Sequence, residues 1–82
     1  GGRFNVYNFV ANNAGKFIRQ LGGSTFKIDV YIDSCDISNM SESIFRTDST
    51  TSTVTMTNTL YHNVGTKWYN VKHVTEANNT SY

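Results

Sequence analysis

Residues 48–61 carry the feature that most constrains the fold, a run in which threonine recurs at every second position. The run reads DSTTSTVTMTNTLY, with threonines at positions 51, 53, 55, 57 and 59. Successive side chains of a β-strand point to opposite faces, so this spacing places the threonines on one face and Val54, Met56 and Leu60 on the other. The run therefore predicts a strand whose apolar face packs against a core.

The composition indicates a β protein that works outside the cytoplasm. Charged residues make up 16% of the sequence, against about 25% in an average soluble domain. Threonine, serine and asparagine are all abundant, so uncharged polar groups replace charges on the surface. We expect a single β domain over residues 1–82, with a flexible tail at 76–82, located outside the cell, on the cell surface or on a virion.

Residues 14–21 fit either a helix or a strand. Their apolar residues fall at positions 14, 17, 18 and 21, the spacing of an amphipathic helix. A hairpin that turns at residues 22–23 sorts apolar from polar side chains better. It sets Phe17 opposite Ile28, and only two residues, one of which is Arg19, then break the separation of apolar and polar faces. The hairpin is the preferred interpretation, and the helix stays open.

The remaining segments complete an antiparallel arrangement. A strand is expected at residues 3–10, another at 25–33, and a third at 66–75 that pairs with the threonine strand through a turn at 62–65. Residues 39–45 fit one short helical turn or an irregular crossover. No internal repeat is expected, and the sequence contains no proline. We therefore predict an all-β fold, a small antiparallel β-sandwich or flattened barrel of about five or six strands.

The outward face of the last hairpin is the expected binding surface. A turn of even length would place Trp68, Asn70 and Lys72 beside the threonines. A row of hydroxyls beside an exposed indole can bind a glycan or a protein partner, although threonine is also common on the solvent face of strands. The expected surface consists of Thr51, Thr53, Thr55, Thr57, Thr59, Trp68, Asn70 and Lys72.

No residues show the spacing of a catalytic or metal site. Cys35, His62 and His73 are far apart in sequence and match no local metal motif. Three aspartates between positions 29 and 36 could supply oxygen ligands to calcium, but such a segment is more often a solvated turn. The single cysteine excludes an internal disulfide, and it is expected either to be a small buried side chain or to be an exposed thiol that links chains. We expect no catalytic residues, no metal site, no cofactor and no enzyme activity.

These observations favour a non-enzymatic extracellular or virion-associated β module that acts by contact. It would be either a self-assembling surface or appendage subunit or a small glycan or receptor binder. The alternative is a secreted antimicrobial protein or toxin, and only this alternative involves a membrane surface. The net charge of +1, without a basic cluster, argues against a nucleic-acid partner. The expected partners are another protein, a second copy of the chain, or a glycan.

Overall fold

The chain winds into a parallel β-solenoid. The computed structural model describes residues 2–21 and 26–82. The strands are β1 (Gly2–Tyr7), β2 (Val10–Gln20), β3 (Ile28–Asp33), β4 (Asp36–Thr47), β5 (Thr53–Thr57), β6 (Leu60–Tyr69), β7 (His73–Ala77) and β8 (Thr80–Ser81). Odd-numbered strands form sheet A in the order β1-β3-β5-β7, and even-numbered strands form sheet B in the order β2-β4-β6-β8. Each odd strand and the even strand after it make one rung, so there are three full rungs and a shorter fourth.

The parallel arrangement shows that the predicted antiparallel sandwich or barrel was wrong. All six strand pairs among the described residues are parallel. The threonine strand β5 pairs with β3 and β7, and β6 lies in the other sheet. Alternation along a strand identifies its apolar face but not its neighbours, because every strand offers the same backbone donors and acceptors. The turn of the first predicted hairpin, at residues 22–23, lies outside the described residues.

A residue in the left-handed conformation bends the chain from sheet A to sheet B in every rung. The residues are Asn8, Ser34, Asn58 and Asn78, with φ angles of 54°, 56°, 51° and 58°. Their spacing in sequence shortens from each rung to the next. Asparagine tolerates this backbone conformation better than most residues. The chain therefore has an internal repeat of unequal length, contrary to the expectation that it has none.

A second bend lies within the strands of sheet B. Asn13, Asn39 and Asn63 have φ angles of 62°, 56° and 53°. The Asn63 Nδ2 donates a hydrogen bond to the Asn39 Oδ1 at 2.9 Å, and the Asn39 Nδ2 donates to the Asn12 Oδ1 at 2.8 Å. The turn predicted at residues 62–65 is therefore a bend inside β6, connected to the neighbouring rungs by side-chain amides.

The core lies inside the rungs and is built mainly from the two central ones. Its buried apolar residues are Val30, Ile32, Cys35, Ile37, Met40, Ile44, Phe45, Val54 and Met56. The predicted inward positions of Val54 and Met56 are confirmed, whereas Leu60 is 47% exposed. The positive φ at Asn58 ends the alternation, and Thr59 becomes the buried residue in place of Leu60.

The uncertain segments of the sequence are strands. Residues 14–20 belong to β2, so they form a strand and not a helix. The predicted hairpin that set Phe17 opposite Ile28 was wrong, because β2 pairs with β4 while β3 lies in the other sheet. Residues 39–45 belong to β4 rather than to a helical turn. Residues 66–75 are divided between β6 and β7, which lie in different sheets. In the last segment, residues 80–81 form β8, and the flexibility of this tail stays a prediction. The described part of the chain contains no helix long and apolar enough to cross a membrane.

A polar cluster lies beside the core at the last rung. Glu76 occupies in β7 the position that Met56 occupies in β5. The Lys67 Nζ donates to its two carboxylate oxygens at 3.1 and 3.0 Å, and the Trp68 Nε1 donates to Oε2 at 3.3 Å. Lys67 also lies 4.9 Å from the ring centre of Tyr61. These contacts satisfy the Glu76 carboxylate, although its register partner in the preceding rung is the apolar Met56.

Candidate functional site

The threonine run is divided among three environments. Thr53, Thr55 and Thr57 alternate with the buried residues of β5 and form part of the outer face of sheet A. Thr51 lies in the turn that precedes β5, with its hydroxyl 2.8 Å from that of Ser49. Thr59 is buried and donates a hydrogen bond to the carbonyl oxygen of Thr57 at 3.0 Å. Three of the five threonines therefore share an outward face.

Two hydroxyls on this face are already engaged with carboxylates. The Thr53 Oγ1 donates to Asp29 Oδ1 at 2.6 Å, and the Thr57 Oγ1 donates to Asp33 Oδ1 at 2.6 Å. The hydrogen bond from Thr57, followed by that from Asn58, lowers the pKa of Asp33. The face is thus a mixed surface of acids and hydroxyls rather than a plain row of threonines.

The other expected members of the binding surface lie elsewhere. Trp68 is in β6, in register with Phe45 of sheet B. Asn70 and Lys72 lie in the connection between β6 and β7, where the Asn70 Nδ2 donates to the carbonyl oxygen of Thr47 at 3.1 Å. The structure therefore does not bring Trp68, Asn70 and Lys72 onto the face of β5. Whether any of these residues binds a ligand stays a prediction.

The residues considered for catalysis or metal binding also remain apart. Cys35 is buried between β3 and β4, as expected for a small apolar side chain. His62 is in sheet B and His73 in sheet A. Within residues 2–21 and 26–82, no three His, Cys, Asp or Glu side chains are grouped so that they could hold a metal ion.

Three cations on two neighbouring strands of sheet B form a more promising site, which we call the cationic strip: Lys16, Arg19 and Arg46. Lys16 and Arg19 lie on β2, and Arg46 on β4 is the register partner of Arg19. The next partner in this row is Tyr69 of β6, and the Arg46 guanidinium carbon lies 4.5 Å from its ring centre. Neighbouring strands are about 4.8 Å apart, so the strip concentrates positive charge over two rungs.

Two carboxylates partly neutralise the strip. The Glu42 Oε1 lies 2.9 Å from the Lys16 Nζ and 4.0 Å from the Arg46 NH1. The Asp48 Oδ2 lies 3.5 Å from the Arg19 NH2. The hydrogen bond and charge of Lys16 lower the pKa of Glu42. Three cations therefore face two acids, which leaves a local excess of positive charge.

A β-bulge in β4 places Glu42 beside the strip. Between matched positions, β4 has the two residues Ser41 and Glu42 where β2 has only Gly15 and β6 only Gly65. A Cβ on Gly65 would lie 2.8 Å from the Ser41 carbonyl oxygen and 2.9 Å from that of Glu42. A Cβ on Gly15 would lie 2.9 Å from the Glu42 Oε2. The two glycines thus make room for the bulge on both sides.

Two buried polar atoms near the bulge have no hydrogen-bond partner within the described part of the chain. They are the Ser43 Oγ and the Arg46 Nε. Most buried polar groups in proteins are paired, so an unpaired one needs an explanation. Both atoms belong to β4, and the Arg46 Nε is part of the strip itself.

The sequence contained signals for this site that the hairpin interpretation obscured. Arg19 was one of the two residues that did not fit the expected hairpin register. The Asn-x-Gly sequence occurs at residues 13–15 and again at 63–65, on the two strands that flank the bulge. Lys16 and Glu42 lie far apart in sequence, so their pairing could be recognised only once the rungs were known.

A family comparison identifies what the solenoid is related to. The model of the pectate lyase family matches residues 1–76. This match contradicts the expectation that the chain is not an enzyme, because the family is one of lyases. Its members are generally secreted or extracellular, which agrees with the expected extracellular location. Because the match spans most of its length, the chain belongs to the pectate lyase family.

Proposed function

We propose that this chain acts on an acidic polysaccharide and that the cationic strip contacts its carboxylates. Pectate, the substrate named in the family description, is a polymer of galacturonate with a carboxylate on each sugar ring. The observation that carries the proposal is the placement of Lys16, Arg19 and Arg46 on adjacent rungs with only two carboxylates between them. Arginine and lysine side chains are the usual protein partners of carboxylates.

The strip is suited to the chemistry of a polysaccharide lyase. In β-elimination a base removes the proton from carbon 5, next to the carboxylate, and a double bond forms between carbons 4 and 5. The bond from carbon 4 to the glycosidic oxygen breaks, and that oxygen gains a proton. Cations at the carboxylate stabilise the negative charge that develops as the proton leaves. We assign this stabilising role to Lys16, Arg19 and Arg46.

The charge of the substrate provides the direct test of this proposal. The chain is incubated with polygalacturonate and, in parallel, with its methyl-esterified form, while the ultraviolet absorbance of the unsaturated product is followed. We expect product only from the ionised polymer, at a rate that falls with increasing salt because screening weakens the contacts with the strip. Equal rates on both polymers, or no product from either, would contradict the proposal.

The outer face of sheet A is a second candidate for glycan or protein contact. Thr55 lies on this face between Tyr31 of β3 and Thr75 of β7. A Thr55→Glu variant tests the face, since a glutamate there would obstruct and repel an acidic polysaccharide without entering the core. Loss of polysaccharide binding would assign the contact to sheet A, and unchanged binding would leave it with the cationic strip. The antimicrobial alternative stays a prediction, testable by dye release from anionic vesicles.

A further inference from the structure

The bulge in β4 and the small size of Gly15 together determine where the Glu42 carboxylate lies. The bulge in β4 adds one residue to this strand relative to β2 and β6. Gly15 leaves open the space in which the carboxylate lies, because its Cβ would come within 2.9 Å of the Glu42 Oε2. The carboxylate is therefore held above β2, one rung away from its own strand.

This carboxylate contacts two of the cations that the proposed function assigns to the substrate carboxylate. One of its oxygens lies 2.9 Å from the Lys16 ammonium and 4.0 Å from the Arg46 guanidinium. The Glu42 side chain is 51% exposed, so it can leave without opening the core. The Arg46 guanidinium also contacts the Tyr69 ring, and this contact does not involve Glu42.

We propose that the Glu42 carboxylate is an internal stand-in for the substrate carboxylate, which displaces it from Lys16 and Arg46 on binding. This inference rests on the proposed function. Glu42 would then determine the affinity and selectivity of the strip. An anion could bind there only if it contacts Lys16 and Arg46 more strongly than the tethered Glu42 carboxylate does. The hydrogen bond and charge of Lys16 hold the pKa of Glu42 below its usual value, so the stand-in is ionised at neutral pH.

The test compares the wild-type chain with Glu42→Gln, which keeps the size of the side chain and removes its charge. The dissociation constant for a galacturonate oligomer is measured by calorimetry, and KM and kcat are measured separately on polygalacturonate. We expect the dissociation constant and KM to fall by about two- to fivefold, the effect of a partly exposed ion pair, while kcat is not lowered. The gain should shrink as salt is added.

Two further variants make the result specific. Asp36→Asn removes the same charge at the start of β4, where Asp36 accepts a hydrogen bond from the Tyr82 hydroxyl at 2.7 Å, and should leave the dissociation constant unchanged. Glu42→Asp keeps the charge but shortens its reach, and its affinity should lie between those of the wild type and Glu42→Gln.

Each outcome separates this inference from the function on which it rests. The inference is supported if Glu42→Gln binds the oligomer more tightly than the wild type does, or if the variant binds it and the wild type does not. If the wild type binds the oligomer and Glu42→Gln binds equally or more weakly, the stand-in is wrong and the proposed function survives. If neither protein binds, both proposals are contradicted. Thermal unfolding of each variant verifies that the fold is retained.

Discussion

The side chain of Asn63 donates a hydrogen bond to that of Asn39 at 2.9 Å, across two neighbouring rungs. Asn39 in turn donates to Asn12 at 2.8 Å, and its own φ of 56° lies in the left-handed region. The same residue thus bends β4 and connects three strands of sheet B. This double role predicts that position 39 is more sensitive to substitution than its partial exposure indicates.

Replacing Asn39 with alanine should lower the free energy of unfolding by about 1 to 3 kcal/mol, because the left-handed backbone becomes strained and the side-chain bonds are lost. Asn39→Gly loses the same bonds but accepts the backbone conformation, so it should cost less than alanine. Urea denaturation of both variants checks the order. A glycine variant that is as unstable as the alanine variant would contradict the role of the positive φ.

Gly65, which lies beside the bulge, should tolerate no side chain. We expect Gly65→Ala to destabilise the fold by about 1 to 3 kcal/mol, because the new Cβ would lie 2.8 Å from the Ser41 carbonyl oxygen, which is backbone and cannot turn away. Gly2→Ala is the matched control, since nothing lies within 4 Å of its Cβ. Equal melting temperatures for the two variants would show that the bulge is not packed against β6 as described.

The ion pair between Glu76 and Lys67 should make stability depend on acid pH. Partial burial alone would raise the pKa of Glu76, but hydrogen bonds from Lys67 and Trp68 outweigh it, so the pKa lies below its usual value. A lowered pKa in the folded state means that the stabilisation is present above the unfolded value of about 4.3 and is lost as the pH falls through the folded value.

We therefore expect Glu76→Gln to lower the free energy of unfolding by roughly 0.5 to 1 kcal/mol at neutral pH, as for a partly exposed pair. The difference from wild type should shrink as the pH falls from about 5 to about 3. Thermal unfolding over this pH range measures it. A difference that stays constant with pH would show that the carboxylate charge is not responsible.

Alternation along single strands predicted the inside and outside of the fold, but not its connections. Val54 and Met56 are buried, and Thr53, Thr55 and Thr57 face outward, as the period of two requires. The same period fits a hairpin and a solenoid equally well. The distinction lies in the residues of positive φ that bend each rung, and the decreasing length of successive rungs conceals their recurrence.

Local sequence patterns could not show which residues of the cationic strip lie together. Lys16 and Glu42 are distant in sequence and meet only because β2 and β4 are parallel neighbours. The bulge that completes the site shifts the register by one residue, which the apolar pattern of β4 does not reveal. The expected surface around Trp68 failed to assemble because it required β5 and β6 to pair, whereas they belong to different sheets.

The measurement that tests the central claim most directly is the affinity of a galacturonate oligomer for Lys16→Met, compared with Lys27→Met. Both variants lose one positive charge that is paired with an acid, but Lys27 precedes β3 of sheet A and its partner Asp29 lies on that strand, whereas Lys16 lies on β2 of sheet B. We predict that calorimetry finds binding weakened about tenfold or more by Lys16→Met, the effect of losing a charged hydrogen bond, and nearly unchanged by Lys27→Met. Equal effects of the two substitutions, or none, would contradict the assignment of the cationic strip as the polysaccharide site.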